Sequence, residues 1–247
     1  MNKNVPFLTK EYIERDAATL LFEYEQARGV VIAPPVPIED IVEKHQKISI
    51  EFDDTHRLFD VPRSGAKPDI LGAIFLNEPR IVIDESLDPE EYPAKEGQYR
   101  FTLGHEGGHW RLHRHLVDKN QGPSALFQRE ALPSFNFASS KTKTRMEWQA
   151  DFYSSCLLMP PDLVLAAWNR KFPDGRPRFI NPSLSARRSF VKVPLEILCD
   201  DYGPIWSETV DEALDRIARP FAEAFLVSTT AMRIRLEDLG LLLRKVP

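Results

Sequence analysis

Five consecutive residues, His105-Glu106-Gly107-Gly108-His109, constrain this chain more than any other stretch. They fall in a segment, 93–115, whose spacing reads as a helix opened by Pro93. On a helix, positions four apart differ by about 40° in direction and about 6 Å in height. Two imidazoles at that spacing reach one metal ion from one face. Glu106 is turned about 100° from His105, which sets its carboxylate beside the ion's coordinated water and not on the ion itself.

This H-E-x-x-H arrangement is that of zinc peptidases, with the glutamate as general base. The other reading of the same residues is a pair of surface histidines on a solvated helix. A catalytic zinc requires a third protein ligand and one open position. His113 continues the series, but on a straight helix its Cα lies about 12 Å from that of His105, too far to share one ion well. It therefore reads as a residue behind a ligand or on the surface. A metzincin pattern requires glycine where Leu112 stands, so His115 is rejected despite its offset. Glu147 comes 38 residues after His109, at the start of the next helical pattern, with Asp151 one turn on. A glutamate ligand followed by a carboxylate that accepts a ligand histidine's other N–H is sound metal-site construction. Acidic residues are also favoured at helix starts for the dipole alone. Glu147 is the preferred third ligand.

Composition places this helix in a globular chain. The 247 residues are 43% hydrophobic and 28% charged with a net charge of −5, which excludes collagen-like, disordered and disulfide-framework classes. Cys156 and Cys199 read as reduced thiols. The first residues lack the apolar run of a signal peptide, and nothing approaches the roughly 20 apolar residues of a membrane span. The expected location is the cytoplasm. A mildly acidic balance argues against an extended nucleic-acid surface.

Along the chain, Ile13, Ala17, Leu20, Leu21 and Tyr24 mark a helix over 10–28 that Gly29 stops. A rigid connector, Ala33-Pro34-Pro35-Val36-Pro37, leads to a short helix over 38–45 and a strand over 47–52, followed by a turn at 53–55 and a loop over 57–69. Two β-rich runs, 70–76 and 80–84, form a hairpin across Asn77-Glu78-Pro79. Residues 117–146 lose periodicity and read as a long functional or mobile loop. Helices are expected over 147–158 and 162–170. A proline-punctuated stretch follows over 171–206, with one helix near 195–202. The tail reads as helices over 209–217, 221–226 and 229–239, the last capped by Ser228 and ended by Gly240. The fold class is α+β with a helical C-terminal region.

These residues resemble the ImmA/IrrE metallopeptidases over most of the chain. Arg100-Phe101-Thr102-Leu103-Gly104-His105-Glu106-Gly107-Gly108-His109-Trp110 is similar to the family's R-F-T-x-A-H-E-x-G-H segment. Glu147-x-x-Ala150-Asp151-x-Tyr153 with Leu157-Leu158-Met159-Pro160 is similar to its E-x-x-A-x-x-F-A-x-x-L-L-M-P helix. Val227-Ser228-x-x-Ala231-Met232-x-x-Arg235-Leu236-x-x-Leu239-Gly240-Leu241 is similar to its closing helix-turn-helix-like unit. Gly104 and Gly107 replace an alanine and a bulky apolar residue, and Tyr153 and Ser154 replace Phe and Ala. Each glycine costs a helix interior about 1 kcal/mol, which points to a softer helix or a backbone packed closely on it.

The resemblance implies a zincin-like, gluzincin-type core over 1–170 with a small antiparallel sheet, and a helical region over 171–247 packed on it. It implies zinc held by His105, His109 and Glu147, Glu106 as base, and Asp151 behind a ligand histidine. It also implies a cytosolic endopeptidase whose protein partner is a helix-turn-helix repressor, in phage, mobile-element or stress-response regulation. The alternative is a non-catalytic regulator that binds a partner through the same fold. Tyr99, His113, His115 and Arg145 are candidate oxyanion donors with no means of choosing among them. A strand of the 70–84 hairpin offers an edge for extended substrate. The basic run at 141–145 reads as solvated loop, or as a means of steering acidic substrate. Trp110, Trp148 and Trp168 read as core anchors, and Cys156 as a buried thiol. Over 207–247, seven acidic residues stand against six basic ones, net −1, a poor match to a phosphate-reading surface, so direct DNA binding is not expected.

Overall fold

The computed structural model describes residues 5–60, 70–116, 125–129, 145–179 and 210–244, the 125–129 stretch by its backbone alone. The chain forms two compact units, one of Met1–Pro160 with Phe225–Val227 and one of Pro161–Ala224 with Ser228–Pro247. No helix among the described residues is long and apolar enough to cross a membrane.

The first unit opens with helix α1 (Lys10–Arg28), capped by the Thr9 side chain and ended by Gly29 at φ 64°, with Ile13, Ala17, Leu20, Leu21 and Tyr24 turned inward. Helix α2 (Ile38–Asp40) continues into a wider π turn (Ile41–His45). Strand β1 (Ser49–Asp53) follows. Where loop was expected the chain makes a short helix, α3 (Thr55–Phe59), because the Asp54 carboxylate accepts from the backbone N–H groups of His56 and Arg57. Strands β2 (Ile70–Phe75) and β3 (Arg80–Asp84) form the expected hairpin.

The sheet corrects two expectations. Its order is β1-β3-β2-β4, with β4 (Ala125–Arg129) drawn from the stretch that lacked periodicity. β1 runs parallel to β3, so the sheet is mixed and not wholly antiparallel. The cause is topological: the chain reverses between β1 and β2, so β1 lies along the outer edge of β3 in the same direction. Both hairpin strands are thereby paired on both sides and present no edge to a substrate; the outer strands are β1 and β4. The rest of 117–146 lies outside the described residues.

Helix α4 (Glu96–His113) carries the five-residue motif, with a 3-10 turn at each end, and lies on β2 and β3. Arg111 ties it to α1 through Asp16 at 2.9 Å and Glu23 at 3.1 Å. Helix α5 (Arg145–Leu158) packs along both α4 and α1. Trp110 and Trp148 are half-buried. Cys156 is buried with its thiol 3.9 Å from the Glu14 carboxylate, while Cys199 lies outside the described residues.

The second unit contains α6 (Pro161–Lys171), α7 (Val210–Phe225), α8 (Thr229–Asp238) and a two-stranded parallel ribbon, β5 (Arg178–Phe179) with β6 (Leu242–Leu243). Two helices were expected over 209–226. One continuous helix forms instead, with Pro220 inside it and Leu214, Ile217, Ala218, Phe221 and Ala222 buried. The apolar face outweighs the hydrogen bond that the proline removes. Trp168 is fully buried and stacks on Phe221 at 5.5 Å. Arg233 is held by Asp211, Asp215 and Glu237, and Arg244 by Asp211 and Glu237. The expected helix near 195–202 lies outside the described residues.

Glycines let the elements of the first unit meet. A Cβ at Gly104 would stand 2.6 Å from Ser154 Oγ, which is itself pinned by donating to the Phe101 carbonyl at 2.9 Å. A Cβ at Gly72 in β2 would stand 2.7 Å from Thr102 Cγ2 and 3.2 Å from Glu106 Oε1. Gly104→Ala is therefore expected to cost about 1–3 kcal/mol. Adding Ser154→Ala should return on the order of 1 kcal/mol or more as coupling, and strictly additive unfolding energies from urea titration would contradict the contact. Gly72→Ala should cost a similar amount, about 1–3 kcal/mol. Thr102→Ser, which removes the obstructing methyl, should recover part of it in thermal unfolding.

Candidate metal centre

Local helix periodicity builds half of the site. His105 and His109 project from α4 with their Nε2 atoms 2.9 Å apart, both rings buried. The first turn of α5 brings Glu147, whose Oε2 lies 3.3 Å from His105 Nε2 and whose Oε1 lies 3.5 Å from His109 Nε2. One donor atom from each residue lies within 4.8 Å of the others. Tetrahedral zinc with ligands at about 2.0–2.1 Å separates its donor atoms by about 3.3 Å. The three donors therefore fit one such ion. The Glu147 side chain is 25% exposed while both rings are sealed, so solvent reaches the cluster from the glutamate's side. Burial pulls the Glu147 carboxyl upward, but the adjoining His105 and His109 imidazoles more than offset it and hold the pKa well below the usual range.

Glu106 is fully buried, and among the described residues neither carboxylate oxygen has a hydrogen bond of ordinary geometry; the Ile74 backbone N–H on β2 bears on it only weakly. Burial raises its pKa to about 8, partly opposed by the neighbouring His105. A buried carboxyl with so little hydrogen bonding is expensive in a structural setting, and its raised pKa makes it a stronger proton acceptor once it is ionised. Gly72 allows β2 to lie directly against this side chain. No residue in the sequence reading filled that role. An isolated glycine within the apolar run Ile70-Leu71-Gly72-Ala73-Ile74 is the signal that marks such a close approach.

Behind the rings, His105 Nδ1 lies 2.8 Å from Asp151 Oδ1. His109 Nδ1 lies 2.9 Å from His113 Nδ1, and His113 Nε2 lies 2.8 Å from Gln149 Oε1. His113 is thus buried behind a ligand candidate and not on the surface. Burial, with the His109 imidazole beside it, lowers its pKa to about 4. Of the other oxyanion candidates, Tyr99 is buried against Phe52 at 5.6 Å, with burial raising its pKa. Arg145 donates to the Val5 carbonyl at 2.7 Å, and His115 is exposed. None of these contacts singles out an oxyanion donor. Of the basic run at 141–145, residues 141–144 lie outside the described residues and Arg145 opens α5.

The chain matches the family model Peptidase_M78, described as IrrE N-terminal-like domain, over residues 52–237. No curated protein matches it. The matched span takes in the end of β1, β2 to β4, both helices of the buried cluster and most of the helical tail. This protein belongs to the ImmA/IrrE family of peptidases.

Proposed function

We propose that the protein is a zinc-dependent endopeptidase with a zincin-like, gluzincin-type core. In this reading His105, His109 and Glu147 hold the ion and Glu106 is the general base. The observation that carries it is the coincidence of three donor atoms at the separations one ion requires with a buried carboxylate, only weakly hydrogen-bonded among the described residues, one residue from a proposed ligand. When bound, zinc supplies Lewis-acid polarisation of water and of the scissile carbonyl. Asp151 accepts the Nδ1–H of His105 and so leaves the Nε2 lone pair for the ion. The Glu106 carboxylate takes a proton from the attacking water at one oxygen and returns it to the leaving amine. The walls formed by β2 and α4 keep bulk water from that carboxylate.

The proposed substrate is a protein partner, a helix-turn-helix repressor, and the proposed setting is cytoplasmic regulation of transcription; both follow from the family resemblance. Direct DNA reading by the tail is not part of the proposal, since Arg233 and Arg244 are engaged by neighbouring carboxylates. A partner-sequestering role without hydrolysis is the competing reading, and Glu106→Gln separates the two.

Elemental analysis of untagged protein should find about one zinc per chain, reduced in Glu147→Ala. Glu106→Gln should keep its zinc and its melting temperature. Its cleavage of a proteome-derived peptide library should fall on the order of 10²-fold or more. Undiminished cleavage by that variant would remove Glu106 from the mechanism. Failure of the wild type to take up zinc on reconstitution would remove the metal reading altogether.

A further inference from the structure

The hydrogen bonds behind His109 form one chain whose direction is fixed at its far end. Gln149 Nε2 lies 2.8 Å from the Pro6 carbonyl oxygen. A carbonyl oxygen only accepts, so the amide nitrogen of Gln149 faces Pro6 and its Oε1 faces His113. Oε1 also only accepts, so His113 Nε2 carries the proton donated across 2.8 Å. In a neutral imidazole the other nitrogen is then bare, and His113 Nδ1 accepts across 2.9 Å from His109 Nδ1–H. His109 is left with its lone pair on Nε2, the atom that faces His105 and Glu147.

We infer that Gln149 is a positioning residue for the metal centre: anchored on the Pro6 carbonyl, it fixes through His113 the tautomer and ring orientation of His109. The inference rests on the zinc reading above. Three features support a dedicated relay over incidental packing. Gln149, His113 and His109 are all buried, with at most 1% exposure, so each polar atom must find its partner inside the protein. Every bond in the chain is satisfied in a single direction. The segment that ends it is gripped twice by α5, since Arg145 holds the Val5 carbonyl one turn before Gln149 holds that of Pro6. The N-terminal segment thereby belongs to the shell of a site built more than 90 residues later.

The relay makes a pattern of effects that a merely structural role does not. Zinc dissociation constants, read by competition with a chromophoric chelator, should rise about tenfold or more in Gln149→Leu and in His113→Leu. His113→Asn places an amide oxygen near the position of the lost Nδ1 and should stay within about threefold of wild type. In the His113→Asn background, Gln149→Leu should have little further effect, because the acceptor for His109 no longer depends on it. The imidazole ¹⁵N spectrum of the zinc-free wild type should show His113 protonated on Nε2. Wild-type affinity in Gln149→Leu, equal weakening in His113→Asn and His113→Leu, or a His113 proton on Nδ1 would each overturn the relay. A wild type that binds no zinc would overturn the underlying metal reading, and this inference with it.

Discussion

The nearness of α5 to α4 governs everything in the buried cluster. Helices whose contact faces carry ordinary side chains sit about 8–10 Å apart. Here Gly104 leaves the space that Ser154 Oγ occupies, and Gly108 leaves the space filled by the Tyr153 ring and the Ala150 carbonyl. Each glycine costs α4 about 1 kcal/mol of helix propensity. The return is that Glu147 and Asp151, a turn apart on α5, reach opposite nitrogens of His105. A helix of better intrinsic propensity with a methyl at 104 would hold α5 off by the width of that methyl, and a carboxylate at 3.3 Å would become one beyond ligand reach. Gly107 differs: a Cβ there would meet Gln46 and Val42 at ordinary van der Waals distances, and nothing in the packing requires glycine.

Close approach also creates an electrostatic problem, and the cluster is shaped by how it is met. His105, His109, His113, Gln149 and Asp151 are all buried, and groups of this kind cost a few kcal/mol each when left without partners. The hydrogen bonds at Asp151 and His113 satisfy both Nδ1 atoms and leave two Nε2 lone pairs converging at 2.9 Å, with a carboxylate beside them. Three electron-rich atoms in one place repel one another unless a cation or protons lie between them. That requirement is a property of the donor set, and it is the physical reason that the same residues read as a metal site from sequence and from structure. Glu106 stands outside the network, and among the described residues neither of its oxygens has a hydrogen bond of ordinary geometry.

How much of this was legible beforehand follows from how local each feature is. The motif helix, the α1 face, the β2–β3 hairpin and the Ser228 cap depend on residues a few positions apart, and periodicity places them within two or three residues. The candidate ligands were readable because a four-residue helical spacing fixes direction without knowledge of the fold. What escaped depends on pairs far apart in sequence. The parallel addition of β1, the recruitment of β4 from an aperiodic stretch and the contact of Gly72 with Glu106 carry no local signature beyond one glycine in an apolar run. His113 is instructive: the helix arithmetic that removes it from an ion shared with His105 also sets it one turn beyond His109. Only the depth of burial, which the sequence does not display, turns that neighbour into a hydrogen-bond partner. The replacements at 104 and 154 looked like separate departures from the family pattern. In the folded chain they are one exchange, a methyl removed from α4 and a hydroxyl added on α5.

The two ligand histidines are supported by chemically different groups, and under the proposed function that difference sets the charge of the centre. Asp151 gives His105 an anionic partner, which strengthens its ring as a donor and adds a negative charge close to the ion. His113 gives His109 a neutral partner, so orientation is fixed with no further charge. With Glu147 as the anionic ligand, a divalent ion at the cluster is balanced by two carboxylates, Glu147 and Asp151, before Glu106 is counted. A third carboxylate in place of His113 would leave the assembly net negative within a sealed wall. An ion so neutralised polarises its water and the substrate carbonyl less, and the Glu106 carboxylate one residue away would be harder to keep ionised. Closing the relay on the Pro6 carbonyl achieves the orientation that a carboxylate would give and leaves the ion's charge available for chemistry.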